Sequence, residues 1–287
     1  MSAELAAVRC SGCGGTVRMV AGRAMPRCLF CGADASDLVP TEPPEGIEAP
    51  VGQLPFVTTA SQARQSFQAF ATSSIWYPDD LRSAKLELRP LLLPAWAWSG
   101  EVETHWTGLV SATTRSGKAP VSGVDHVRFE QILVPASRTL RMTELASLGA
   151  WDETALEVFD PDTCEHPMEL SELTRSAARQ RAQQNMESRH RAAIERDHGL
   201  RKIRVSSLVT ELDGRPVMVP VFIGAYRYGD RTFRVLVNAQ SGRFVGTAPR
   251  SWIKMFAAFA LVVVVIVGLV LGVMAFSGLF AVAAGAG

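Results

Sequence analysis

The sequence predicts an α+β fold with three parts: a small cysteine-rich module, a middle region rich in antiparallel sheet with one long helix, and a C-terminal apolar helix. Three observations indicate this arrangement. Cysteines cluster near the N-terminus, the middle alternates apolar and polar residues with a period of two, and residues 255–287 carry no charged side chain. The formal net charge of the 287 residues is only +1, which argues against a dedicated nucleic-acid binder.

The N-terminal module is defined by two C-x2-C pairs that are separated by fourteen residues. Two such pairs at this separation are typical of a tetrahedral zinc site, because four thiolates satisfy a soft divalent cation. Protein ligands fill all four positions, so the spacing predicts structural Zn²⁺ rather than catalytic Zn²⁺. A module of about forty residues buries little core, so the metal is expected to hold it together. The predicted ligands are Cys10, Cys13, Cys28 and Cys31.

Glycine and strand signals around the cysteines predict a zinc ribbon over residues 1–36. Each cysteine pair needs a tight turn, and glycine tolerates the positive φ angles of such turns. Between the pairs, residues 16–20 predict a short strand and Gly22 a turn. The glycines expected to shape the two knuckles are Gly12, Gly14 and Gly32.

The alternative for the four cysteines is a pair of disulfides, which requires an oxidising compartment. Residues 1–20 lack the apolar core of a signal peptide, so reduced thiols and zinc are favoured. A fifth cysteine, Cys164, stands two residues before His166. A Cys–His nucleophile is one interpretation of that pair, but a lone cysteine in a reducing compartment is more often inert.

A Pro- and Glu-rich segment, residues 37–55, follows the ribbon. This composition predicts an extended linker, so the ribbon is expected to be mobile relative to the rest of the protein. Residues 56–249 then predict a soluble α+β domain, which is long enough for one or two subdomains.

Two segments of the middle domain have helical periodicity. Residues 59–72 predict a short amphipathic helix. Residues 171–198 predict the clearest helix, capped by Ser171 and stopped by Gly199. Its arginine excess fits an anionic lipid or nucleic-acid surface, although a solvated face is the favoured interpretation. The predicted apolar positions are Ala63, Phe67 and Phe70 in the first helix, and alanines with Met186 and Ile194 in the second.

Residues 96–110 and 124–134 alternate apolar and polar side chains, which predicts two half-buried partner strands. If the register allowed it, polar side chains of the two strands would form a metal or acid–base site. A solvated polar face of an antiparallel sheet is the favoured interpretation. The residues of this candidate cluster are Glu103, His105, His126 and Glu130.

Residues 203–247 predict a β-meander, because segments rich in Val, Phe and Tyr alternate with turn signals. The predicted turns lie at Asp213-Gly214, Gly229-Asp230 and Ser241-Gly242. The meander leads through "APRSWIK" into the apolar C-terminal segment, so this sheet is expected close to a bilayer.

Residues 255–276 predict a single transmembrane helix, because at ~1.5 Å per residue they span ~33 Å, enough to cross a bilayer. The apolar tail 277–287 is expected to extend the helix or to lie in the far interface. Residues 231–254 hold five basic residues and no acid, which predicts a single-pass inner-membrane protein with its N-terminal bulk in the cytoplasm. Gly268 and Gly272 form a G-x-x-x-G pair, a candidate homodimer contact in the bilayer.

Motifs that mark common enzyme classes are missing from the sequence. It contains no G-x-x-x-x-G-K-[ST], no H-E-x-x-H and no G-x-S-x-G. We therefore expect a protein that is not an enzyme.

Several stretches together resemble a family of bacterial and archaeal membrane-anchored proteins with a zinc ribbon of the transcription factor IIB type. These stretches are the two cysteine pairs, "ARQSFQAFATSSIWYPDDL", "LLLPAWAWSGEVETHWTG", "ILVPAS" and "VPVFIGAYRYGDRTFRVLVNAQSGRFVGTAPRSWIK". Similar proteins more often read Asn-Gly-x-Thr-Gly where this chain has residues 238–242, and phenylalanine where it has Ala95. The resemblance implies the fold, the topology and the four cysteine ligands. It implies little about activity, because the members are mostly of unassigned function.

The protein is expected to act by recruiting another molecule to the membrane. The leading hypothesis is a cytoplasmic interaction or adaptor module that brings an unidentified cytosolic protein to the membrane. The alternative is a nucleic-acid-binding protein held at the membrane through its ribbon. A third hypothesis, an enzyme or transport accessory, would need the histidine cluster on the sheet. The nucleic-acid hypothesis depends on a mildly basic ribbon surface formed by Arg9, Arg18, Arg23 and Arg27, with Glu4 and Asp34 nearby.

Overall fold

The computed structural model describes residues 7–19, 27–113 and 117–284, with side chains as far as residue 269. The predicted turn at Gly22 and the basic residue Arg23 lie outside these residues, as does Glu4. The helices are α1 (Ala60–Thr72), α2 (Met142–Ser147), α3 (Arg175–Asp197) and α4 (Trp252–Ala284). The strands are β1 (Ala7–Cys10), β2 (Thr16–Arg18), β3 (Leu38–Thr41), β4 (Gly52–Gln53), β5 (Arg89–Ser111), β6 (Lys118–Pro135), β7 (Glu157–Val158), β8 (Met168–Glu169), β9 (Arg201–Tyr228), β10 (Arg231–Asn238) and β11 (Phe244–Gly246).

The strands form one large sheet, ordered β11-β10-β9-β5-β8-β2-β1-β3, and β5 is its central strand. One edge of β5 pairs with β9, and its other edge pairs with β6 over residues 95–111 and with β8 at Leu92. The pairings are antiparallel except for the short contacts β5–β8 and β4–β9. The coarse prediction of α and β elements around a large, mainly antiparallel sheet is therefore confirmed.

The period-two pattern of β5 is confirmed by its burial. Trp96, Trp98, Val102 and Trp106 are buried on one face, whereas the Glu and His side chains between positions 101 and 105 are partly or fully exposed. The predicted partner strand is β6, which runs antiparallel to β5. Helix α3 covers the buried face, where tryptophan rings and alanines form one apolar cluster. Aromatic burial on this scale makes the β5–α3 interface a main source of folding free energy.

Helix α1 forms where the amphipathic pattern predicts it. Thr59 caps it: the Thr59 hydroxyl accepts the backbone N–H of Gln62 at 3.3 Å, and the Gln62 side chain accepts the Thr59 N–H at 2.8 Å. Ala63 and Phe67 are buried, and Phe70 is partly buried, against the C-terminal strands.

Helix α3 begins later than predicted, because tertiary contacts hold the residues before it in an extended conformation. The Glu172 N–H donates to the Ala136 carbonyl at 2.8 Å, and the Trp96 indole donates to the Leu173 carbonyl at 3.3 Å. Thr174, not Ser171, is the N-cap. Gly199 follows the helix with φ of 61°, as expected of a helix stop. The buried stripe is Ala178, Ala182, Met186, His190 and Ile194.

The predicted turn at Asp213-Gly214 is wrong, because β9 continues through both residues. The signal marks a bulge instead: Ser99 pairs with Asp213 and Glu101 with Thr210. A Cβ at Gly214 would lie 2.4 Å from the Trp98 ring. The ring can pack this closely against the strand only because residue 214 has no side chain. The other two turns are confirmed, one between β9 and β10 and the other between β10 and β11.

Helix α4 is long, apolar and exposed. The window Trp252–Leu269 has a mean hydropathy of 2.5, and none of it is buried. Its length and composition suffice to cross a membrane. The helix continues through residues 277–284, so most of the predicted tail extends it. Gly268 has no neighbouring atom within 4 Å of its Cβ position. The side-chain surroundings of Gly272 lie outside the described part, and homodimerisation stays a prediction.

Candidate metal centre

The four predicted ligands come together in the structure. The sulfur atoms of Cys10, Cys13, Cys28 and Cys31 all lie within 4.8 Å of one another. The Sγ–Sγ distance is 3.7 Å for both Cys10–Cys31 and Cys13–Cys28. Four sulfurs placed ~2.3 Å from a central ion form a tetrahedron with edges of ~3.8 Å, so the cluster fits a tetrahedral metal ion. A disulfide would need a separation of ~2.05 Å, so these distances exclude the disulfide alternative for this conformation.

Two matching turns hold the sulfurs. In the first, the Gly14 N–H donates to the Cys10 carbonyl at 2.8 Å; in the second, the Gly32 N–H donates to the Cys28 carbonyl at 3.0 Å. Both glycines have positive φ, 76° and 74°, so the prediction for them is confirmed. Gly12 is not among the residues with positive φ, and the expectation for it is wrong.

Burial and backbone N–H donors shift the pKa of a cysteine thiol in opposite directions. Burial raises the pKa of the Cys28 thiol to about 11, although the N–H groups of Cys31 and Phe30 point at its sulfur and oppose the rise. Thiolates at such a site therefore need a neighbouring cation. A bound metal ion supplies that charge and deprotonates its thiol ligands.

The cysteine module is built into the main sheet and is not a tethered unit, which corrects the expected mobility of the ribbon. Strand β2 pairs with β8, matching Val17 with Glu169. Cys10 and Cys28 belong to the same apolar cluster as the β5 residues Leu91 and Leu93. The metal ligands therefore share a hydrophobic core with the central strand.

The segment 37–55 is also attached rather than free. Strand β3 pairs with β1 inside the cysteine module, and β4 pairs with β7 and β9. Between them, the Glu48 carboxylate binds the Arg175 guanidinium through two hydrogen bonds of 2.7 and 2.8 Å. The segment is extended, as its proline content predicts, but its ends are held by strand pairing.

The candidate cluster on the outer face of β5 and β6 is only partly assembled. His105 Nε2 lies 2.8 Å from a Glu103 oxygen, and His126 Nδ1 lies 4.0 Å from the other. All three side chains are at least 40% exposed. Glu130 lies within the register shift opposite Trp98–Gly100, away from these side chains. Within the described residues, the cysteines alone form a group suited to a metal ion, so the solvated polar face is the better interpretation.

Cys164 lacks the features of an activated nucleophile. Its sulfur lies 3.4 Å from the His166 carbonyl oxygen. Burial raises the pKa of its thiol, whereas a reactive cysteine needs a lowered pKa. The geometry thus agrees with the inert interpretation of this residue.

A buried carboxyl group behind the cysteine module was missed from the sequence. Glu169 is 2% exposed, and both of its oxygens lie within 2.9 Å of the Thr139 hydroxyl. Burial raises the pKa of this carboxyl to about 8. The one local signal is its place between Met168 and Leu170, two apolar residues of a short strand region.

Replacement of Glu169 by glutamine is expected to make stability less dependent on pH. The pKa of the folded protein, about 8, exceeds the ordinary value of 4.5, so the native state binds the extra proton between these values. The free energy of unfolding then falls as pH rises through this window, by up to roughly 1.4 kcal/mol per pH unit. Glutamine cannot ionise, and Glu169→Gln should be more stable than wild type at pH 8.

Chemical unfolding of both proteins between pH 5 and pH 8.5 measures this difference. The matched control is Glu172→Gln, which alters a neighbouring carboxylate that is paired with Arg138. A wild-type pH slope in Glu169→Gln would contradict the prediction.

Comparison of the chain with protein-family models, curated proteins and solved structures gave no match. The family resemblance therefore stays a prediction from the sequence motifs.

Proposed function

We propose that this is a membrane-anchored cytoplasmic protein whose structural zinc module serves as an interaction surface for a cytosolic protein. The observation that carries the proposal is one sheet that joins the cysteine cluster to the base of an exposed apolar helix. The sheet runs from β3, at the module, to β11, which precedes α4. A partner bound at one end would thereby be held at the bilayer by the other.

Zinc is the metal that the ligand set favours. Four thiolates suit Zn²⁺ in closed structural sites, and the sulfur spacing agrees with Zn–S bonds of ~2.3 Å. With four protein ligands, no position is left for substrate or water. The role of the ion is thus structural, which supports a function other than catalysis.

The membrane anchor is supported by the exposure of α4, in which every side chain of residues 259–269 is exposed. Ile253, Phe256 and Phe259 are 82%, 67% and 68% exposed, and no polar face interrupts the helix. A helix that is apolar all round requires an apolar solvent, which a bilayer provides. Arg250 and Lys254 at its start, and the reduced thiols, support a cytoplasmic location for the sheet.

The outer edge of the cysteine module is the candidate contact surface. Strand β3 ends the sheet, so its outer edge has no neighbouring strand within the described residues. Arg9 pairs with Val39 across β1 and β3, and both side chains are exposed, Val39 by 54%. An apolar and basic surface beside an open strand edge suits contact with another protein.

Copurification from detergent tests this surface. We expect Arg9→Glu/Val39→Lys to lose a protein that the wild type retains after nuclease treatment, while zinc stays bound because neither residue is a ligand. The matched control is His105→Glu/Val124→Lys, another exposed cross-strand pair, on β5 and β6. Identical copurifying proteins from both variants and the wild type would refute the proposed surface.

The nucleic-acid alternative has less support from the contacts. Arg18 pairs with Asp162 at 2.9 Å and Arg27 with Asp34 at 3.4 Å, so an acidic side chain stands beside two arginines of the predicted basic surface. Nucleic acid that copurifies, with an affinity that falls steeply with salt, would favour this alternative.

A further inference from the structure

The first turn of α4 is tied to a loop of the soluble domain that lies far away in sequence. The Ser251 N–H donates to the Trp76 carbonyl at 2.8 Å, and the Lys254 ammonium donates to the Tyr77 carbonyl at 2.9 Å. Lys254 also pairs with the Asp79 carboxylate at 2.7 Å. These three contacts place Trp76 beside the first residue of the apolar helix.

The same loop exposes large apolar side chains. Ile75 is 75% exposed and Trp76 39%, and on the adjoining helix Trp252 is 69% and Ile253 82% exposed. Single exposed hydrophobic residues are normal on soluble proteins. A patch with two tryptophans that continues onto an apolar helix is different, because tryptophan concentrates at the boundary between lipid headgroups and acyl chains.

The charged groups at this point are arranged to suit such a boundary. Lys254 is the last charged residue before the apolar segment, and it is satisfied by Asp79 and a backbone carbonyl. An ammonium group with these partners is already hydrogen-bonded to the protein. Its pairing also holds the Trp76–Asp79 segment against the helix at the level where the bilayer would begin.

We propose that the loop of residues 73–76 is a second membrane contact, in which Ile75 and Trp76 insert into the lipid interface next to Trp252. The inference rests on the proposed membrane anchor and adds that the soluble domain lies against the bilayer in one orientation. With two points of contact, the domain cannot turn freely about α4. The cysteine module, which shares a hydrophobic core with the central strand, is then presented in a fixed direction.

Photo-crosslinking to lipid tests the contact in the full-length protein. The crosslinker p-benzoylphenylalanine is incorporated singly at Ile75, at Leu261 within α4, or at Val158 in β7, which is 89% exposed but lies outside the patch. Each protein is reconstituted into phosphatidylcholine–phosphatidylglycerol nanodiscs and illuminated. Lipid adducts are then measured by mass spectrometry of the labelled peptide. Substitution at Ile75 removes few contacts, because the side chain is largely exposed.

We expect lipid adducts at positions 75 and 261 and none at position 158. Adducts at 261 with none at 75 would overturn the second contact and leave the anchor intact. The absence of adducts at both 75 and 261 would overturn the membrane anchor itself, and the loop contact with it. Equal adducts at 75 and 158 would also count against the proposal, because they would indicate nonspecific adsorption.

Discussion

Replacement of Cys28 by serine is expected to release the proposed zinc ion and to destabilise the whole α+β domain. Zinc binding contributes ~10–16 kcal/mol to the folding of small zinc-finger peptides, as much as the ~5–15 kcal/mol that stabilises an ordinary domain. Cys28 is buried in the cluster that contains Leu91 and Leu93 of the central strand. The loss of the ion would leave three thiols and a hydroxyl without their charge partner in that core.

The effect should spread beyond the module, because its strands belong to the main sheet. Loss of β2 would uncover β8, which pairs with the central strand at Leu92. It would also uncover Glu169, which is buried and pairs with Val17 of β2. We therefore expect a lower melting temperature for the entire domain rather than a separate early transition of the module alone.

Zinc content and thermal unfolding of the detergent-solubilised protein measure both outcomes. The matched control is Cys164→Ser, which makes the same chemical change at a cysteine outside the cluster. That variant should keep one zinc ion per chain and a nearly unchanged melting temperature. A zinc-loaded Cys28→Ser protein with wild-type stability would contradict the assigned site.

Local signals in the sequence were sufficient to predict that the four cysteines come together. Ligand spacing within each C-x2-C pair is a property of one turn, and the turn residues Gly14 and Gly32 adopt the backbone angles expected of them. Gly12 could not be assigned correctly by this argument, because glycine is permitted positive φ without being required to adopt it. The same locality explains why the capped helix α1 was found within one residue of its ends.

Contacts between distant residues account for the errors. Val17 and Glu169 are paired although 152 positions separate them, and no local sequence pattern predicts that pairing. A Pro- and Glu-rich segment is typical of linkers, but strands at its ends fix this one in place. Likewise, Asp-Gly predicts a turn, yet at residues 213–214 the close approach of the Trp98 ring is the reason for the glycine. Tertiary packing overrode a correct local preference in each case.

Substitution of two arginines into α4 is expected to release the protein from the membrane. Val264 and Val265 lie near the middle of the predicted span 255–276, and they are 67% and 52% exposed. An arginine at the centre of a membrane helix costs ~2.5–3.5 kcal/mol on insertion scales. Two such residues cost ~5–7 kcal/mol, which changes the ratio of inserted to free protein by about four orders of magnitude.

The soluble domain should survive this change, because none of the window Trp252–Leu269 is buried against it. The expected product of Val264→Arg/Val265→Arg is thus a protein that alkaline carbonate extracts from membranes and that still contains zinc. Val264→Leu/Val265→Leu, the matched control, should remain in the carbonate-resistant fraction. An arginine variant that stays in that fraction would refute the anchor. A zinc-free arginine variant would show instead that α4 supports the domain through contacts other than those at its first turn.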